Sequence, residues 1–365
     1  MSAPRLEIHL GRLHHNAKTL VGRLALQGIA VTGVSKATLG LPEIVHTWVD
    51  AGVASIGESR IENIEGLTAA GVGVPMLLIR SPMLSQVERV VAHAAISCNS
   101  ELSVLQALSA AAQRQGLCHG VLLMVELGDL REGVLAQDLE AMAQQTLALP
   151  NLQLMGIGTN LGCQHGVVPD ALNMAELSRL TNALERRFGL HLPWCSGGNS
   201  ANLPWLAAGG EPGRLNHLRL GEALLLGREP LRRTAIPGLF TNAITLVAEV
   251  IEAKLKPNQP WGERQRTSFA AAVPEPEPKP KPTSAAPGYE HRVLLALGEQ
   301  DVDPQGLSPP NGVVIHGASS DHLVVGCQGA RPQVGDEQRY QLSYSALLRA
   351  MTSPFVSHCF ISDEP

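Results

Sequence analysis

Gly33-Val34-Ser35-Lys36-Ala37-Thr38-Leu39-Gly40 closes an apolar, β-type run that begins at Ile29, delivers one lysine, and then ends in small residues and glycine. A lysine at the end of a buried strand is unstable without a partner or a chemical role. Burial lowers an amine's pKa, which suits a lysine that forms a Schiff base with a carbonyl compound. The octamer is equally compatible with an ordinary strand end whose lysine points to solvent. The rest of the chain has to discriminate.

Working outward, the same unit recurs: a short apolar run, a polar or glycine-rich loop, then an amphipathic helix. Further apolar runs lie at 54–56, 76–79, 94–97, 120–126, 152–158, 192–196 and 215–220. Helical patterns fall between them at 61–70, 84–94, 101–115, 135–147, 169–188 and 201–208, and Pro42 opens one more that runs to about Ala51. A strand-like segment, 5–10, and a helical pattern, 13–26, precede them. Eight strands alternating with helices in about 230 residues predict a closed parallel (β/α)8 TIM barrel, with a doubly wound open sheet as the alternative.

After Arg233 the pattern changes to strands at 245–254, 292–297, 313–316, 322–325 and 338–342, separated by turn residues. The expected division is a barrel, 1–233, and a C-terminal mainly β domain, 234–365. A proline-rich stretch at about 273–288 reads as an extended, solvated insertion, with partner binding as the alternative.

Composition narrows the function. Of 365 residues 44% are hydrophobic and only 3% aromatic, so the core is built from aliphatic side chains. A net charge of −5 gives no basic footprint for nucleic acid. No apolar run reaches membrane-spanning length, and the first residues lack a signal-peptide core. Six scattered cysteines without a C-x-x-C pair suggest reduced thiols in a cytoplasm, with neither a disulfide framework nor a zinc site.

In a barrel, site groups come from the C-terminal ends of the strands. Those ends carry Lys36, Glu58-Ser59-Arg60, Arg80, Asn99-Ser100, Glu126 to Arg131, Thr159-Asn160, Ser196 to Ser200 and Arg219 to Glu222. The set lacks the histidine and carboxylate cluster a metal needs. Ser196-Gly197-Gly198-Asn199-Ser200 follows the seventh strand and suits an anion, although the same residues can form a turn with an N-cap. An imine lysine and a phosphate cradle at one barrel mouth are what pyridoxal 5′-phosphate requires. Sugar-phosphate aldolases combine the same groups, but a lysine on the first strand favours the cofactor.

These residues carry a resemblance. Val34-Ser35-Lys36-Ala37, Glu126-Leu127-Gly128-Asp129-Leu130-Arg131-Glu132-Gly133, Gly156-Ile157-Gly158-Thr159-Asn160, Gly198-Asn199-Ser200-Ala201 and Leu218-Arg219-Leu220-Gly221 resemble the alanine racemase N-terminal barrel, a fold-type III pyridoxal-phosphate family. The segments 296–304, 317–323 and 344–354 resemble its ornithine racemase branch. The resemblance implies that Lys36 holds the cofactor as an imine and serves as one catalytic base. Asn160, Asn199, Ser200, Gly221 and Glu222 fall at cofactor-binding positions, the last four around the phosphate. Arg219 would face the pyridine nitrogen, Arg131 would orient cofactor and substrate carboxylate, and Arg80 is a further carboxylate candidate from its strand-end position.

The chain also departs from the pattern. Leu39 replaces a phosphate-binding tyrosine, Asn160 replaces a histidine that stacks on the ring, and Trp261 falls where the family has its opposite-face tyrosine base. Indole cannot move that proton. Candidates for the second catalytic group are Asp321 and His322, with Tyr344 a core-packing alternative; Asp321 also suits the distal ammonium of a diamino acid. The expectation is a homodimeric racemase with shared active sites, acting on ornithine or a similar basic amino acid. The alternatives are a non-catalytic cofactor carrier, or an alanine racemase, D-amino-acid aldolase or decarboxylase on the same fold.

Overall fold

The computed structural model describes residues 3–262, 288–329 and 331–361, so nearly all of the proline-rich stretch lies outside the described residues. Two compact units are present. One is His9–Ala243; the other combines the segment ending at Ile8 with Ile244–Ile361.

In the first unit, Ala30–Val34, Ser55–Glu58, Met76–Leu78, Ile96–Asn99, His119–Glu126, Leu152–Gly158, Trp194–Ser196 and His217–Leu220 form barrel strands one to eight. Each pairs in parallel with the next, and the eighth closes on the first with Leu220 opposite Gly33. The ring is closed, which is the TIM barrel and excludes the open sheet. Only strands five and six slip, at a bulge that leaves Met155 without a partner.

Local chemistry explains the elements. Pro42 sits in the first turn of helix Pro42–Asp50, where its missing N–H does no harm. Asp170 caps helix Ala171–Phe188 through the backbone N–H groups of Leu172 and Asn173, and the Asn173 side chain returns the bond to the Asp170 N–H. The 135–147 expectation needs correction: Val134–Leu135 pairs as a short strand with Val125 and Glu126, and the helix is Leu139–Leu147. The aliphatic layer between strands and helices includes Leu105, Val121, Leu123, Leu139, Ile157, Leu177 and Leu184, all buried.

The second unit is an antiparallel sheet in the order Leu307–Ser308, Glu337–Leu342, Ile244–Pro257, Tyr289–Leu295, Leu323–Cys327, Val313–Ala318. Arg5–His9 joins it by pairing with both Ile244–Pro257 and Ser357–Ile361. The sequence patterns leave out the strands Leu307–Ser308 and Ser357–Ile361 and the helix Tyr344–Thr352, which Ser343 caps.

Gly33 shows how tightly the barrel's first strand is specified. A Cβ built there stands 2.9 Å from the ring of Trp48, which is fully buried in the following helix. Gly33→Val should destabilise the protein by about 1–3 kcal/mol, and adding Trp48→Leu should cost less than the sum of the two single changes. Thermal unfolding of the four members of this cycle checks it; strict additivity would show that the two residues do not compete for the same space.

Candidate active site

Lys36 lies two residues past the end of barrel strand one and begins the tight turn Lys36–Thr38. The turn is held from below. Thr38 donates through both its N–H and Oγ1 to the Ser35 carbonyl, each at 2.9 Å, and the Leu39 N–H returns to the Lys36 carbonyl at 3.3 Å. Leu39 takes a left-handed backbone, φ 53°, uncommon for a branched residue. Ser35 Oγ donates at 2.6 Å to Glu58, a carboxylate with no exposure that also accepts from the Ser59 N–H and from Asn63 Nδ2. Burial pushes the Glu58 carboxyl up, against those bonds and the nearby Lys36 charge. No motif assigned Glu58 a role; its position at the end of strand two, beside the lysine strand, was the available signal.

The residues expected to hold an anion lie at the ends of strands six to eight. Asn160 follows strand six and Asn199 follows strand seven. Asn199 Nδ2 donates to Asn160 Oδ1 at 3.2 Å and to the Leu161 carbonyl at 2.8 Å, while its own oxygen caps the Ala201 N–H. Asn160 Nδ2 is buried with no partner among the described residues. Ser200 Oγ accepts from the Ala223 N–H at 3.3 Å and so ties the seventh and eighth exits together. The helix expected at 201–208 is instead a 3-10 turn, Ser200–Asn202, followed by Leu203–Ala207. Gly221 begins the turn into Glu222–Leu226; a Cβ there would lie 3.1 Å from the Val34 carbonyl, so glycine lets this exit pass the lysine strand. Burial raises the Glu222 carboxyl to about 7.

Arg219 lies inside the barrel, buried. Its Nη2 donates to the Thr159 carbonyl at 2.7 Å and its Nη1 to Ser196 Oγ. Ser196 Oγ is 2.8 Å from His217 Nδ1, His217 Nε2 is 2.6 Å from Thr32 Oγ1, and Thr32 Oγ1 is 2.5 Å from Ser55 Oγ. The His217 ring stacks on Trp194 at 4.2 Å. Burial, reinforced by the Arg219 charge, lowers the His217 imidazole to about 3. It is neutral at physiological pH. Among the described residues no carboxylate pairs with Arg219. Sequence reasoning missed His217, although residues 217 and 219 share one face of a strand.

The remaining candidates are spread more widely. Arg80 is half-buried, two residues beyond strand three. Arg131 is forked onto Glu132 and, through its charge, is one of the groups acting on Arg219. Asp129, given no role of its own in the sequence, is 1% exposed and accepts from the N–H groups of Cys163, Gln164, His165 and Val167 at 2.8–3.4 Å. Asp321 and His322 belong to the other unit, on the turn between Val313–Ala318 and Leu323–Cys327, with His322 Nδ1 2.8 Å from Asp321 Oδ1. The Glu299 and Gln300 N–H groups bond the Ser319 and Ser320 carbonyls and hold that turn. Trp261, in the same unit, is 94% exposed.

Residues 8–229 match the family model described as alanine racemase, N-terminal domain. The chain belongs to that family. It is 36% identical to the lysine racemase of Thermotoga maritima over 99% of both chains, and 36% identical to the ornithine racemase of Acetoanaerobium sticklandii over 97% of this chain and 98% of that protein. Among solved structures, an alanine racemase from Streptomyces coelicolor shares the fold with a TM-score of 0.75 at 20% identity, covering 98% of both chains. The D-threonine aldolase of Filomicrobium marinum reaches 0.71 at 18% identity, over 96% of this chain and 89% of that one.

The family uses pyridoxal 5′-phosphate, and the donor set fits it. Among the described residues a buried amide nitrogen at Asn160 lacks an acceptor, a buried guanidinium at Arg219 lacks a carboxylate, and Lys36 lies just past the strand that pairs with the one leading to Gly221.

The Asp129 clamp makes a direct test. Burial works to raise its carboxyl, but four backbone N–H groups hold it below the usual range. A depressed pKa stabilises the clamp above the ordinary aspartate range, and the clamp is lost as pH falls through the depressed value. Amide exchange across 163–167 should therefore be slow at neutral pH, rise in acid, and be roughly tenfold faster or more at pH 7 in Asp129→Ala. Unchanged exchange in the variant would show that the loop is held by something else.

Proposed function

We propose that this chain is a pyridoxal-phosphate-dependent racemase of a basic amino acid, lysine or ornithine. The carrying observation is the 36% identity to both a lysine and an ornithine racemase over 97–99% of this chain, a span that takes in both structural units. A small-molecule amino acid is its substrate. We further propose a cytoplasmic homodimer in which each active site takes Asp321 and His322 from the second copy.

When bound, the cofactor withdraws the electron pair left on Cα as its proton departs. Lys36 Nζ would hold the cofactor covalently in the resting protein and, once the substrate amine takes its place and frees it, would exchange the Cα proton on one face. Asn199, Ser200 and the backbone of Gly221 and Glu222 receive the phosphate, and Asn160 offers its unpartnered amide nitrogen. Arg219 faces the ring nitrogen. A guanidinium does not give up its proton, so it opposes protonation of that nitrogen and restrains side reactions. Arg131 and Arg80 hold the substrate carboxylate. Asp321, kept ionised by the adjacent His322, suits a distal ammonium, while the His322 ring can hold the proton on the opposite face.

Purified protein supplied with pyridoxal phosphate should absorb in the visible, and Lys36→Ala should lose both that band and activity. L-Lysine or L-ornithine in deuterium oxide should yield D product with deuterium at Cα, resolved on a chiral column. Asp321→Ala should raise KM for the diamino acid at least tenfold with a smaller effect on alanine. Visible absorption without inversion of any amino acid would instead favour a cofactor carrier, a reading to which the exposed Trp261 at the tyrosine position lends support.

A further inference from the structure

The polar chain beneath Arg219 has no part in the steps above. Yet its members are buried and linked from one side of the barrel to the other. We propose that His217 is a positioning residue that, through Ser196, fixes the Arg219 guanidinium toward the cofactor ring while leaving its charge uncompensated. The proposal rests on the cofactor site argued above.

The bond directions we assign along the chain start from Arg219. A guanidinium can only donate, so Nη1 gives its hydrogen to Ser196 Oγ. Ser196 keeps its own hydrogen, and we place it on the 2.8 Å bond to His217 Nδ1. An accepting Nδ1 puts the ring hydrogen on Nε2, which faces Thr32 Oγ1 at 2.6 Å, and Thr32 passes its own hydrogen to Ser55 at 2.5 Å. Trp194, stacked on the imidazole with 21° between the planes, keeps the ring from turning. A second anchor, the Thr159 carbonyl on Nη2, completes the hold on the guanidinium. Among the described residues, two of the five N–H groups are used.

A carboxylate would orient Arg219 equally well but would also neutralise it. Here the carboxylate whose charge acts on it is Glu132, with less effect than the Cys98 thiol, and Glu132 is itself forked onto Arg131, whose own charge opposes it. The groups against His217 are the Ser196 and Thr32 hydroxyls, the Trp194 ring and, on its own strand, Arg219; Arg219 alone is charged. Neutral dipoles therefore supply direction without cancelling charge, and full charge is what keeps the ring nitrogen unprotonated.

The test combines nitrogen-15 NMR of labelled histidine with cofactor titration. In wild-type protein, with and without cofactor, His217 should stay a neutral Nε2–H imidazole from pH 8 to 5, and Ser196→Ala should move its Nδ1 resonance. Ser196→Ala and His217→Phe should weaken pyridoxal-phosphate binding about tenfold, shift the absorption of the bound cofactor, and lower kcat more than they raise KM. His217→Asn, with an amide oxygen able to accept from Ser196, should recover part of each. A cationic or Nδ1–H His217 overturns the proposal, even if His217→Phe does not fold. Bound cofactor with unchanged affinity and spectrum in Ser196→Ala overturns this role alone. A wild type that binds no pyridoxal phosphate overturns the proposed function together with it.

Discussion

Closure of the barrel depends on one pairing, the eighth strand against the first, with Leu220 opposite Gly33. It joins residues just over half the chain apart and removes the open edges an eight-stranded sheet would otherwise expose. It also sets the chemistry. Because the two strands are parallel and in this register, the turn carrying Lys36 and the exit carrying Arg219 and Gly221 end on the same rim. The pairing tolerates little bulk: Trp48 lies over Gly33, and the Val34 carbonyl lies under Gly221. The apolar strand, the glycine beside the tryptophan and the position of the lysine are consequences of one packing requirement.

Inside that ring the side chains are more polar than a barrel core needs for stability alone. Thr32, Ser55, Ser196, His217 and Arg219 form one connected group, and Ser97, Asn99 and His119 another. Buried polar groups destabilise unless their bonds are made, and a linked set then holds its members in single orientations. Each group centres on a histidine whose imidazole is kept neutral by burial, His119 at about 4 and His217 at about 3. The apolar remainder, Leu77, Cys98, Leu122 and Met124, fills the space beside them. The interior thus holds direction as well as volume.

Much of the barrel was legible because its strands are continuous apolar runs and its helices start and stop at punctuated positions. Lys36 stood out because a single charged residue closed such a run. The anion loop stood out because two glycines and an asparagine met a predicted strand end. Leu135 was misread because a residue that pairs as a strand also fits the period of the helix behind it. The β unit's strands were visible, but Arg5–His9 could not be assigned to it, since its partner lies some 240 residues away and alternation says nothing about distance. Glu58 and Asp129 fell inside stretches singled out by position, but their roles, like that of His217, escaped for a common reason. Their importance comes from what they touch, and a polar residue in a strand or loop does not announce its partner in the sequence.

The pairing of Arg5–His9 with Ile244–Pro257 has a consequence for the order in which the protein is built. The whole barrel is threaded between two adjacent strands of one sheet. On the ribosome the first strand emerges early and has nothing to pair with until the barrel has been translated. The barrel can acquire its core during that interval, since its strands bond to near neighbours in sequence. Once folded, it holds the two strands' attachment points beside each other through the bond from the His9 N–H to the Ala243 carbonyl at 2.9 Å. A contact that spans most of the chain is thereby reduced to a short loop closure.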